Sequence, residues 1–154
     1  GAPVFFDYSK LEEGRLVKVE WRGKPVVILR RSPEMMQGLD EIKDNLADPN
    51  SLESAQPTYA QNNQRADSAR PEVLVMEGVC THLGCSPVEK LALGPDPEMG
   101  ADSKGGFFCP CHGSKFDLAG RVYKNVPATT NMAVPPYQYV DDVITIGEDD
   151  GRTA

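Results

Sequence analysis

The chain has 154 residues, enough for one domain that buries a core without needing disulfides. Hydrophobic residues make up 40% of it, and 13 prolines with 14 glycines indicate many turns, so the composition favours an all-β protein rich in loops. The net charge of −7 argues against a nucleic acid partner, because phosphate binding needs clustered lysine and arginine.

The first third of the chain predicts a strand pair followed by a helix. Residues 16–21 and 25–30 have the pattern of strands, with a tight hairpin turn between them. Ser32 is a suitable N-cap and Pro33 a suitable first helical residue. Apolar residues then recur at helical spacing until Asp48-Pro49 ends the run; they are Met35, Met36, Leu39, Ile42 and Leu46.

The middle of the chain combines loops with one strand. Residues 51–70 are polar and without a clear period, which predicts a surface segment with at most one short helical turn. Residues 72–77 predict a strand that leads to Cys80. Residues 86–106 are rich in glycine and proline and are expected to be loop.

The last third predicts short strands. Three of them are expected at 107–108, 115–117 and 121–123, and a final hairpin pairs 137–140 with 143–146. Together the pattern predicts one unit over 1–154. Its parts are a β base (about 1–77 and 127–154), an inserted subdomain (about 78–126) and a helix and loop insertion (about 33–70).

All four cysteines and both histidines lie in two short stretches. One is C-T-H-L-G-C at 80–85 and the other is C-P-C-H-G-S at 109–114. A chain that confines its soft ligands to two matched loops is expected to build one metal centre there.

Six candidate ligands are present for a centre that needs four. Cys80 and His82 are two residues apart, and Cys109 and His112 are three apart, which suits a binuclear cluster whose neighbouring ligands reach different irons. A tetrahedral zinc site could use the same four residues. That alternative fits less well, because the C-x-H spacing is unlike a zinc-finger arm and two cysteines would be unexplained.

The two boxes resemble those of the Rieske iron–sulfur subunit of cytochrome bc complexes, and the sequence is similar to the bacterial bc₁ type. The similarity continues through Phe116-Asp117 and 119–121 to Pro136. The resemblance implies stacked antiparallel sheets with an inserted cluster-binding subdomain. It also implies one [2Fe–2S] cluster, with Cys80 and Cys109 on the inner iron and His82 and His112 on the outer iron.

The two remaining cysteines, Cys85 and Cys111, resemble the pair that forms a disulfide in high-potential members of the family. The alternative is a pair of free buried thiols. A disulfide here would join the loops over the cluster and would imply an oxidising compartment.

Other positions are expected to tune the cluster or to dock its partners. By resemblance, Ser114 would donate a hydrogen bond to a bridging sulfide. Phe116 stands where many members have a tyrosine that donates to a cysteine sulfur, so a lower reduction potential is expected. Leu83, with Gly84, would form the apolar tip near the quinone, and Pro127 would lie in a third loop beside the cluster.

The resemblance implies a subunit that takes an electron and a proton from quinol and passes the electron to a c-type cytochrome. His82 or His112 would meet the quinol, and the partners would be cytochrome b and cytochrome c₁. The enzyme would be a ubiquinol:cytochrome c oxidoreductase, of which this domain alone is an electron carrier without turnover.

No stretch in the chain approaches the ~20 apolar residues of a membrane span, and no signal peptide is visible. By resemblance, the chain would be the head of a subunit whose N-terminal membrane anchor is missing, on the periplasmic side of the bacterial inner membrane. The alternatives are the small Rieske subunit of another periplasmic oxidoreductase, such as arsenite oxidase, and a Rieske ferredoxin.

Overall fold

The computed structural model describes residues 1–151, and its first sheet joins the two ends of that range. Strand β1 (Val4–Asp7) pairs antiparallel with β9 (Val143–Ile146), which in turn pairs with β8 (Tyr137–Val140). The predicted final hairpin is confirmed. Strand β1 was not predicted, because four residues without a flanking turn signal give no recognisable alternation.

The second sheet has the order β2–β3–β4, from β2 (Leu16–Trp21), β3 (Lys24–Arg30) and β4 (Val73–Glu77). All three strands were predicted. The hairpin turn contains only Arg22 and Gly23, which both have positive φ (53° and 73°), as a two-residue hairpin favours. Strand β3 therefore begins at Lys24, one residue earlier than predicted.

Strands β3 and β4 of this second sheet are buried on both faces at 26–29 and 73–76, whereas Lys18 and Glu20 of β2 are exposed. Val26 and Ile28 of β3 pack into one core cluster together with residues of the first sheet. Val27 and Leu29 point the opposite way, into a second cluster that also contains Cys80 and Cys109. The second sheet therefore packs against the two buried cysteines, one in each cysteine-bearing loop.

Helix α1 (Pro33–Glu41) begins as predicted, with the backbone N–H of Met35 donating to the Ser32 hydroxyl at 3.2 Å. The predicted length is wrong, because regular helix ends at Glu41 and a 3₁₀ turn, Lys43–Asn45, follows. The tighter turn still leaves Ile42 and Leu46 buried, which explains why the apolar spacing continued past the helix. Among residues 1–151, no helix combines the length and the apolar character needed to cross a membrane.

The polar segment at 51–70 contains one 3₁₀ turn, Thr58–Ala60, in agreement with the prediction. The expectation that this segment lies on the surface is wrong for several of its residues. Arg65 is 0% exposed, and Ser51 and Ala66 are also buried. Hydrogen bonds that composition does not reveal hold these residues inside the fold.

The third sheet has the order β5–β6–β7 and carries the C-P-C-H-G-S loop between its last two strands. It consists of β5 (Val88–Lys90), β6 (Gly106–Phe108) and β7 (Lys115–Phe116). Strand β5 falls where only loop was predicted. The strand predicted at 121–123 is absent; this segment makes only isolated bridges to β7 and to Leu46.

Candidate metal centre

The two cysteine-bearing loops have the same backbone design. In the first, the Gly84 N–H donates to the Cys80 carbonyl at 3.0 Å, and in the second the Gly113 N–H donates to the Cys109 carbonyl at 2.9 Å. Both glycines have positive φ, 86° and 84°, a conformation that favours glycine. Two further bonds, from Cys80 N–H to the Cys85 carbonyl and from Cys109 N–H to the Ser114 carbonyl, close the loops.

In this shared design two thiols lie in the interior and two imidazoles lie at the surface. Cys80 and Cys109 are free thiols and are buried, at 3% and 2% exposure. His82 and His112 are exposed, and their rings lie perpendicular with centroids 4.9 Å apart. Rings this close can direct a nitrogen each toward one metal ion.

A disulfide joins the tips of the two loops. Cys85 and Cys111 are bonded to each other, as the resemblance implied. Their sulfurs and the Cys109 sulfur all lie within 4.8 Å of one another. Because disulfide sulfurs are not thiolates, this group of three is not itself a metal site. The remaining donors in the two loops are two thiols and two imidazoles.

The Cys80 thiol has neighbours with opposing effects. Burial raises the pKa of Cys80, the His82 backbone N–H lowers it, the adjacent Cys109 thiol raises it, and a hydrogen bond from Ser114 lowers it. Groups that lower this pKa stabilise the thiolate, which is the metal-binding form. Ser114 is buried in the second loop, two residues after His112, and its role as a hydrogen-bond donor to the cluster stays a prediction.

A third loop, at 126–131, contacts both cysteine-bearing loops. The Ala128 N–H donates to the Ser114 hydroxyl at 2.9 Å, and the Thr81 hydroxyl donates to the Thr130 carbonyl at 2.6 Å. Pro127 lies in this loop and is exposed. The predicted third loop is therefore present, and hydrogen bonds fix it in position.

The two positions singled out for tuning and docking lie in different environments. Phe116 is fully buried, in the same core cluster as Cys80 and Cys109. Leu83 is 69% exposed at the tip of the first loop, next to Gly84, and has no packing function there.

Three buried arginines and one buried aspartate meet at residues 117–121, directly after β7. No sequence pattern indicated this group. Asp117 accepts two bonds from Arg121, at 2.8 Å and 2.7 Å, and two from the backbone N–H groups of Ala119 and Arg121. Burial lowers the pKa of Arg31 and Arg65 to about 10, and the Asp117 charge partly offsets this. Arg31 and Arg65 therefore stay charged at neutral pH, and Asp117, which forms an ion pair with Arg121, also stabilises their charges.

A donor set of two buried thiols and two exposed imidazoles fits a [2Fe–2S] cluster of the mixed cysteine and histidine type. Each iron would receive two ligands of one kind. The same four donors also fit a tetrahedral zinc ion, so geometry alone leaves both metals open.

Residues 3–138 match the Rieske [2Fe-2S] domain, and the chain belongs to this family. It is 55% identical to the ubiquinol-cytochrome c reductase iron-sulfur subunit of Allochromatium vinosum, over 98% of this chain and 72% of that protein. It is 43% identical to the subunit of the same name from Blastochloris viridis, over 96% of this chain and 72% of that protein.

Among solved structures, a chain of a hyperthermophilic respiratory Complex III has a similar fold. The TM-score is 0.53 at 23% identity, and the match covers 94% of this chain and 74% of that one. The all-β fold of small antiparallel sheets with one helix is therefore the fold of its family, and membership favours an iron–sulfur cluster over zinc at the site.

Proposed function

We propose that this domain is the high-potential [2Fe–2S] electron carrier of a quinol:cytochrome c oxidoreductase, with quinol as its reductant and a c-type cytochrome as its oxidant. The observation that carries the proposal is the pair of exposed histidines above two buried cysteines, in a chain 55% identical to a ubiquinol-cytochrome c reductase iron-sulfur subunit. The names of its relatives favour this function over the small subunit of an arsenite oxidase.

In this proposal Cys80 and Cys109 hold the inner iron and His82 and His112 hold the outer iron. The bound cluster supplies a one-electron acceptor whose potential is raised because two neutral imidazoles replace two thiolates. Burial of the two cysteines protects the thiolate side, while the exposed histidine rings form the only part of the donor set open to a partner.

Three features of the chain take part in quinol oxidation: a histidine ring, Leu83 and the disulfide. An exposed ring nitrogen of His82 or His112 accepts the quinol proton, so the proton and the electron leave the same molecule at one contact point. Leu83 covers that contact with apolar surface, and the disulfide keeps the two histidine-bearing loops together.

The proposal also covers the partner subunits of this domain and its position relative to the membrane. Cytochrome b would supply the quinol site and cytochrome c₁ would take the electron, in a membrane-bound complex. The disulfide supports a position on the periplasmic side, because a cytosol keeps such thiols reduced.

The test replaces the corresponding domain of the Allochromatium vinosum subunit with this chain and measures quinol-dependent reduction of cytochrome c by the assembled complex. We expect activity that is lost in the His112→Ala variant. An assembled complex with a loaded cluster but without quinol oxidation would contradict the proposal.

Leu83→Ala is expected to lower the quinol-dependent kcat/KM of that complex about tenfold without changing the reduction potential, because truncation removes about 1.5 kcal/mol of apolar contact. The matched control is Leu93→Ala, since Leu93 is also an exposed leucine (42%) but lies in the loop before β6. Equal effects of both variants would show that Leu83 has no docking function.

Ser114→Ala is expected to lower the reduction potential and Phe116→Tyr to raise it, each by tens of millivolts. By resemblance, Ser114 is expected to donate to a sulfur of the cluster, and a tyrosine hydroxyl at 116 would add a donor near Cys80 and Cys109. One hydrogen bond contributes about 1 kcal/mol, and 59 mV is a tenfold change for one electron. Protein-film voltammetry measures both shifts, and unchanged potentials would exclude this tuning.

A further inference from the structure

The free thiol of Cys109 lies beside the disulfide that joins the two cysteine-bearing loops. Its sulfur is within 4.8 Å of both the Cys85 sulfur and the Cys111 sulfur. A thiolate that attacks a disulfide sulfur forms a new disulfide and releases the other sulfur as a thiolate. Because all three sulfurs are held in one fold, this reaction needs only a short approach and no second molecule.

The two disulfide sulfurs are not equivalent targets for Cys109. Attack on Cys111 would link two residues with only Pro110 between them, and the fixed φ of proline opposes the geometry of so small a ring. Attack on Cys85 gives a bond that still joins the first loop to the second. The released sulfur is then that of Cys111, which is exposed to water, whereas Cys109 is only 2% exposed. Water solvates the leaving thiolate, so Cys85 is the favoured target.

We propose that Cys109 exchanges with the disulfide when no cluster is bound, giving a Cys85–Cys109 disulfide and a free Cys111 thiol. The Cys85–Cys111 bond breaks as the Cys85–Cys109 bond forms, and the proton of the Cys109 thiol is transferred to Cys111. These two loops keep one disulfide and two thiols, so the step consumes no oxidant and no reductant. In the cluster-bound protein the Cys109 sulfur is bonded to iron and does not attack.

The exchange removes a candidate ligand from the metal centre. A chain with the Cys85–Cys109 bond keeps only three of its four candidate donors, and attack by the exposed Cys111 thiol restores the fourth. This consequence rests on the proposed function, because it takes Cys109 as a cluster ligand, whereas the exchange itself does not. The domain therefore interconverts between a form that accepts a cluster and a form that does not, without any change in the number of disulfides.

The first experiment compares the variants Cys80→Ser and Cys109→Ser. Each removes one of the two free thiols, so each has an incomplete ligand set and keeps the disulfide pair. Cys80 is the matched control thiol: it is 3% exposed, and within the described residues 1–151 it does not belong to the group of mutually close sulfurs. After anaerobic incubation of the folded variants, thiols are labelled with N-ethylmaleimide in acidic denaturant. Tandem mass spectrometry then locates the label, with Pro110 separating Cys109 from Cys111.

In Cys80→Ser, we expect label on Cys111 to rise with incubation time while label on Cys109 falls by the same amount. In Cys109→Ser, we expect label on Cys80 alone. Label that stays on Cys109 in the first variant would overturn the inference. So would equal labelling of Cys85 and Cys111 in both variants, because exchange would then not depend on the position of Cys109.

The wild-type protein provides a second measurement that does not depend on either variant folding. The cluster-loaded domain is stripped of iron anaerobically with a chelator, and its disulfide is mapped before and after. We expect only Cys85–Cys111 before removal, a growing fraction of Cys85–Cys109 afterwards, and a proportional loss of cluster uptake on reconstitution with iron and sulfide. Unchanged pairing after removal would refute the exchange.

Two further outcomes separate the levels of the proposal. Exchanged protein that takes up a cluster undiminished would refute only the block on cluster loading. A wild-type protein that holds no histidine-ligated cluster would refute the proposed function, while the comparison of Cys80→Ser with Cys109→Ser would still decide whether the exchange occurs.

Discussion

Asp117→Asn is expected to lower the free energy of unfolding by about 3–5 kcal/mol, because it removes the charge that three buried guanidinium groups share. Asp117 is 1% exposed, and its carboxylate bonds to two nitrogens of Arg121. The substituted amide would place an NH₂ group or a neutral oxygen against that guanidinium. Arg31 and Arg65 would lose a stabilising charge at the same time, and Arg65 would keep only that of Asp48.

Denaturant unfolding followed by Trp21 fluorescence measures this loss, and Asp96→Asn is the matched control. Asp96 also accepts two backbone N–H bonds and pairs with a lysine, but its side chain is 22% exposed and solvent screens the pair. We therefore expect a much smaller loss for the control than for Asp117→Asn. A loss for Asp117→Asn no larger than that of the control would show that the buried charges are compensated elsewhere.

The double substitution Cys85→Ser and Cys111→Ser is expected to destabilise the domain by about 3.5 kcal/mol, the chain-entropy value for a closed loop of about this length. The disulfide closes a loop over a separation of 26 residues and joins the two loops of the metal centre. Its loss should also speed release of the cluster, because the disulfide holds together the two loops that carry the ligands.

Unfolding midpoints with and without a strong thiol reductant provide the check. Reductant should move the wild-type midpoint to that of the variant and leave the variant unchanged. Equal midpoints for both proteins under oxidising conditions would show that this disulfide does not stabilise the domain.

The strands were predictable where alternation was long and turns were clear. Strands β2, β3 and β4 satisfy both conditions, whereas β1 and β5 are short and lack the tight turn that revealed the equally short β8 and β9. The helix was predicted too long because the 3₁₀ turn that follows keeps Ile42 and Leu46 buried at nearly helical spacing.

The metal centre, like the fold, was predictable only in part. The two boxes alone indicated six candidate ligands, and the resemblance selected four of them. The structure brings these four into one place, although their assignment to the irons stays a prediction. The disulfide came only from resemblance. The buried partners Asp117 and Arg65 gave no signal, because composition places charged side chains on the surface. Only the folded chain shows which of them have found partners.

The most direct test of the account is electron–nuclear double resonance on the ascorbate-reduced domain, prepared with ¹⁵N-histidine. The chain has only two histidines, so a coupling from two labelled nitrogens assigns both ligands. We predict an average g-value below that of four-cysteine clusters, with both ¹⁵N couplings present. A spectrum without histidine coupling, or a colourless protein with one zinc per chain, would contradict it.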